Sequence, residues 1–228
     1  MKMTTELLIK PVKTTLLVVV LMFALLECEQ AVEIPETEAA FVFPEAVTIR
    51  NFELNHNDQQ RYDIDSTKGK WSLFFFGYTR CPDVCPTELF MRAEMMRKIE
   101  EDTSLLDQPP QVVFVSLDHQ QDSPESLQQY AGFYHPSFIG VTGKQSAIDR
   151  LSKSMGVYYE RVYHLNGKVL IFDPQDGVPA GLENSYLINH SASIFLVNPD
   201  GKMHAVFTAP HEPDVMIRDL AAIQGAWL

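Results

Sequence analysis

Cysteine is scarce in this chain. Three occur in 228 residues, at positions 28, 81 and 85. Basic residues are scarce too: 18 against 30 acidic ones, for a net charge of −12. Nucleic acid is excluded as a partner, because binding it needs basic patches that neutralise phosphates. The acidity suits solubility better than it suits a dedicated basic partner. No apolar run approaches the roughly 20 residues of a membrane-spanning helix. The longest at the N-terminus is Leu16 to Leu26. Internal repeats and low-complexity segments are absent. What is present is 46% hydrophobic content, enough for one sizeable domain with its own core.

The first residues read as a targeting segment. Lys2, Lys10 and Lys13 precede the short apolar run, the layout of a signal peptide over residues 1–31. An uncleaved membrane anchor is the alternative. Glu27 stands where a lipoprotein needs a small residue before Cys28. Removing residues 1–31 takes away three bases and three acids, so the net charge stays the same. It also removes Cys28, leaving Cys81 and Cys85 in an exported, periplasmic domain. Residues 32–43, acidic and punctuated by Pro35, read as a linker, and residues 44–228 as the domain.

The two remaining cysteines lie four apart in Gly77-Tyr78-Thr79-Arg80-Cys81-Pro82-Asp83-Val84-Cys85-Pro86. An apolar strand precedes them and a helical pattern follows. A helix N-terminus favours negative charge, and so a thiolate. A disulfide closing so short a loop gains almost no chain entropy, so the pair reads as reactive rather than structural. Two thiolates can bind a soft metal such as Cu(I) or exchange disulfides, and the spacing permits both. Copper outranks zinc, because the exported chain has no third cysteine to help close a four-ligand site.

Strands and helices alternate along the rest of the chain. Residues 47–54 and 61–64 suggest an N-terminal hairpin turned at His56-Asn57-Asp58. Strands are expected at 70–77, 111–117 and 157–163. Helices are expected from Pro86, taken as the first helical position, to 101, then at 123–133 and 144–155. Residues 165–187 look like an inserted excursion. Asn198-Pro199-Asp200-Gly201 turns a hairpin between 194–197 and 203–207, and 213–223 closes as a helix. This order implies an α/β sandwich around a mixed sheet.

Four ordered blocks carry a family resemblance. They are Phe75 to Pro86, Phe114-Val115-Ser116-Leu117-Asp118 with Asp122-Ser123-Pro124, Phe138 to Gly143, and His190 to Gly201. Together they resemble the Sco/SenC family of copper chaperones that help assemble cytochrome c oxidase, within the thioredoxin-like fold. The resemblance implies one copper ion, Cu(I) or Cu(II), bound by Cys81, Cys85 and His190. It implies delivery to the dinuclear copper site of the copper-containing oxidase subunit, with another copper chaperone or a thiol reductant as further partners. Asn189 departs from the family's usual aspartate, which would weaken tuning of the histidine. His119 and Gln120 also depart from the pattern and bring an extra imidazole near the site.

The residues themselves choose less sharply. Of seven histidines, His56, His135 and His211 read as solvated turn residues, His204 as a packed or edge residue, and His119 as a bystander. Met91, Met95 and Met96 read as core filling. The competing reading is a thiol–disulfide oxidoreductase that reduces the oxidase subunit's cysteines, with Cys81 attacking and Cys85 resolving. A thiol peroxidase is disfavoured, since Tyr78 and Pro82 stand where threonine would be wanted.

Overall fold

The computed structural model describes residues 34–57, 60–165, 168–172, 180–182 and 185–227. The targeting segment expected at 1–31 lies outside the described residues. Among those described, no helix is long and apolar enough to cross a membrane.

The core sheet is built on β4 (Ser72–Gly77) and β5 (Gln111–Ser116), whose side chains are almost all buried. Near-continuous apolar runs of this kind suit strands covered on both faces. They pair in parallel, and β6 (Ile139–Val141) pairs in parallel with β5. Such pairings need crossovers, which α1 (Val84–Glu101) and α2 (Pro124–Tyr134) supply. Ser123 caps α2, with Pro124 in its first turn, as the sequence signals. On the other side β10 (Ile194–Val197) pairs antiparallel with β4 and with β11 (Lys202–Phe207). The turn between them relies on Asn198, whose Oδ1 accepts the N–H groups of Asp200 and Lys202, and on Gly201 at φ +76. β1 (Ala40–Thr48) adds the far edge, giving the order β1-β11-β10-β4-β5-β6. This is the mixed α/β, thioredoxin-like architecture expected.

Two expectations about the N-terminal part need correction. Residues 38–43 do not behave as a linker. The backbone N–H groups of Glu38, Ala39 and Ala40 all donate to the Asp219 carboxylate at 2.8 Å, and β1 begins at Ala40. Asp219 belongs to α3 (Pro213–Trp227), so the chain's entry is tied to its last helix. The strand expected at 47–54 divides into the end of β1 and β2 (Glu53–Asn55). β2 pairs with β3 (Arg61–Asp63) to form the expected hairpin. Pro44 has no N–H, and the β1 ladder is irregular between Val42 and Val47, which an edge strand tolerates.

The excursion expected at 165–187 also reads differently. β7 (Tyr159–Leu165), β8 (Lys168–Phe172) and β9 (Tyr186–His190) form a separate three-stranded antiparallel sheet in the order β8-β7-β9. Its last residue is His190. The segment therefore includes part of the scaffold for a candidate site residue.

Candidate metal centre

The buried stripe of α1 passes through Cys85, Leu89, Ala93 and Met96. That stripe turns the Cys85 side chain inward, where it is fully buried, while Cys81 is half-exposed. The helix starts at Val84, two residues before Pro86, so Cys81 precedes the helix rather than sharing a turn with Cys85. The helix thus begins earlier than the expected Pro86, and Cys81 takes a capping place before it. Asp83 makes no side-chain cap, and the Cys85 N–H donates instead to Cys81 Sγ at 3.4 Å. One of the helix's orphan donors is satisfied by sulfur.

His190 reaches the thiols from β9. Its Nε2 lies 3.6 Å from Cys85 Sγ, and the donor atoms of Cys81, Cys85 and His190 are all within 4.8 Å of one another. The ring packs edge-on against Phe75 and Tyr78, with centroids 6.3 Å away in each case. Its Nδ1 is 2.9 Å from the Ser191 carbonyl. A carbonyl only accepts, so Nδ1 carries the proton, and the lone pair of Nε2 faces the sulfurs.

The two thiols are inequivalent. A hydrogen bond from the Cys85 thiol, then bonds from the N–H groups of Cys85 and Asp83, hold the Cys81 thiol well below the usual range, against the opposing effect of desolvation. The same bond to Cys81, together with burial and the Cys81 charge, pushes Cys85 up. The pair therefore holds one proton, on Cys85, next to a Cys81 thiolate.

Gly77 packs directly against the Cys85 sulfur. A Cβ on Gly77 would stand 2.6 Å from Cys85 Sγ and 2.7 Å from the Phe114 ring. The loop after β5 grips the cysteine loop. Asp122 accepts from the Thr79 N–H at 3.0 Å and from the Thr79 hydroxyl, and the Leu117 N–H donates to the Gly77 carbonyl.

The other candidates resolve as follows. Asn189 points away from the metal-ligand atoms and donates to Glu160 at 3.3 Å. Alternation along β9 puts its side chain on the opposite face from His190, so the partner of the imidazole is a backbone carbonyl. His119 sits beside Arg161, Asp149 and Gln145, outside the three-atom cluster. Met95 and Met96 are buried in the core, as expected. His204 packs between Trp71 and Trp227. The solvated reading of His135 and His211 is wrong, since both are buried. His211 accepts a place in a charge cluster that the sequence reading missed: its Nδ1 is 2.9 Å from Glu88, which pairs with the wholly buried Arg92 at 3.1 Å. Glu88 and Arg92 are spaced i, i+4, a signal of pairing but not of burial.

Known proteins resemble this chain in sequence and in fold. A family model described as SCO1/SenC matches residues 44–225. A protein of Stutzerimonas stutzeri whose name proposes copper binding is 32% identical over 183 residues, 80% of this chain and 79% of the relative. The mitochondrial SCO2 homolog of Homo sapiens is 32% identical over 148 residues, 65% of this chain and 48% of the relative. This chain thus spans about half the length of the curated mitochondrial relatives it matches. The crystal structure of Arabidopsis thaliana ScoI with copper bound superposes with a TM-score of 0.64 at 27% identity, over 77% of this chain and 97% of that one.

Proposed function

Because the chain belongs to the SCO1/SenC family, we propose that it is a copper metallochaperone that carries one copper ion on Cys81, Cys85 and His190. The observation that supports this most directly is the approach of the three donor atoms to within 4.8 Å. Two soft sulfurs and an imidazole suit Cu(I), and Cu(II) when a further ligand joins. Ser191 fixes the proton on Nδ1, which keeps Nε2 available. Cys81, the more exposed thiolate, is the one that an incoming partner thiolate meets first. The cargo passes to the dinuclear copper site of the copper-containing cytochrome c oxidase subunit. Another copper chaperone or a thiol reductant acts upstream. Residues 1–31 export the domain to the periplasm or anchor it to the inner membrane.

A second reading, thiol–disulfide exchange with the oxidase subunit, draws support from the depressed Cys81 pKa. In it Cys81 attacks and Cys85 resolves. Metal analysis after loading and desalting separates the two. One copper per reduced chain, lost when a reversible Cys81–Cys85 disulfide forms, supports the chaperone. No retained copper with full disulfide exchange supports the oxidoreductase.

A further inference from the structure

We propose that Asp118 is the positioning residue that registers His190 against the two cysteines. This rests on the copper reading above and concerns how the third ligand is held. His190 reaches the thiols from the small β8-β7-β9 sheet, while the cysteines follow β4 of the large one. Something must fix one sheet relative to the other.

Asp118 lies in the loop after β5 and is wholly buried. Its two carboxylate oxygens serve two different elements. Oδ2 accepts from Arg80 Nη2 at 3.0 Å, and Arg80 adjoins Cys81. Oδ1 accepts from the Tyr186 hydroxyl at 2.5 Å, and Tyr186 opens β9. The Arg80 guanidinium also lies over the Tyr186 ring, 4.9 Å from its centroid, which closes a triangle of three residues. A buried carboxylate in this setting needs both partners, since an unpaired buried charge is costly. Its bonds are charge-assisted and directional.

The strand transmits this fixed point to the histidine. Side chains at 186, 188 and 190 share one face, and His190 stands about 13 Å along the strand from Tyr186 at 3.3 Å per residue. Midway, the Ile188 N–H donates to the Tyr78 hydroxyl at 3.2 Å. Tyr78 belongs to the same loop as Arg80. Two bolts, Asp118–Tyr186 and Tyr78–Ile188, therefore hold β9 to the cysteine loop, and the histidine projects from the end of the strand they secure.

The test uses Tyr186→Phe, which removes one oxygen and keeps the ring, because truncating a wholly buried Asp118 can unfold the domain. In the reduced wild-type chain, copper loading is measured first. In Tyr186→Phe, Cu(II) affinity should fall about tenfold or more, the range for losing a residue that orients a ligand. Imidazole nitrogen coupling in the Cu(II) EPR spectrum should weaken, while Cu(I) affinity stays within about threefold because both thiolates remain. In the metal-free protein the Ile188 amide should exchange faster than in wild type, while amides of β4 and β5 are unchanged. Asp118→Asn, which can still accept from Tyr186 but loses the ion pair, should fall between wild type and Tyr186→Phe. Wild-type Cu(II) affinity and coupling in Tyr186→Phe would overturn the proposal, as would equal losses of Cu(I) and Cu(II). If wild type itself takes no copper, the chaperone reading fails. The bolt is then judged by Ile188 exchange, and unchanged exchange overturns it.

Discussion

His190 Nε2 stands 3.6 Å from Cys85 Sγ across 105 residues of chain, with its lone pair toward the sulfur because Nδ1 donates to Ser191. The imidazole and the buried thiol are neighbours brought together from β9 and from α1.

His190→Ala should separate metal binding from sulfur chemistry. Two thiolates can still hold Cu(I), whereas Cu(II) favours imidazole and a higher coordination number. Cu(II) affinity should drop by about a hundredfold, the upper end of the cost of losing even an outer-shell partner, with a milder loss for Cu(I). Competition titrations with chelators of known affinity check this. Unchanged Cu(II) binding would mean that another histidine is the ligand.

Thiol reactivity should be uneven and insensitive to pH. The Cys81 pKa is depressed, so its thiolate survives as pH falls, whereas an ordinary thiol with a pKa of about 8.5 loses about tenfold in thiolate for each unit below it. Alkylation of the reduced apo chain, followed by peptide mass spectrometry, should label Cys81 at a nearly constant rate between about pH 8 and about pH 5. Cys85, buried and with its pKa raised, should lag far behind. Preferential labelling of Cys85 would contradict the assignment of the proton.

Gly77→Ala should damage the site and the core together. The added Cβ meets Cys85 Sγ and the Phe114 ring inside normal contact distance, so the sulfur, the ring or the strand must shift. Overpacking of this kind costs about 1–3 kcal/mol. Denaturant unfolding should show that loss, and the thiolate-to-Cu(II) charge-transfer bands should shift or vanish. A variant with normal stability and normal spectra would show that the sulfur can move freely.

Arg92→Ala should act on stability alone. Arg92 is wholly buried, pairs with Glu88 and donates to the His211 carbonyl at 3.0 Å. Removing it leaves the Glu88 charge largely buried without its cation, at a cost of about 3–5 kcal/mol. Copper stoichiometry of the folded fraction should stay at the wild-type level, because the cluster contains none of the three proposed ligands. A loss of copper capacity in folded protein would connect the cluster to the site.

Much of this was legible in the chain itself. The apolar runs of β4 and β5, the Ser123-Pro124 helix start and the Asn198 to Gly201 turn each carry a local signal, because strand burial, capping and tight turns depend on residues close together in sequence. The paired cysteines were legible for the same reason. Burial of His135 and His211 was not. Each sits in a polar, turn-like stretch, and only packing against distant elements covers it.

Local residue order by itself determined the strand that delivers the cysteines, the helix that follows them and the scarcity of thiols that disfavours a closed zinc centre. From spacing alone His190 was one histidine among seven, and only the four-block resemblance singled it out. Tertiary structure decided its place physically: β9 pairs with β7 in a second sheet, and Tyr186 and Ile188 bond across to Asp118 and Tyr78. It also decided the inequality of the thiols, because burial of Cys85 and the N–H groups around Cys81 arise from packing and from where the helix begins. Residue identity can be written in a motif, but the distance between side chains 105 residues apart is decided only when the two sheets come together.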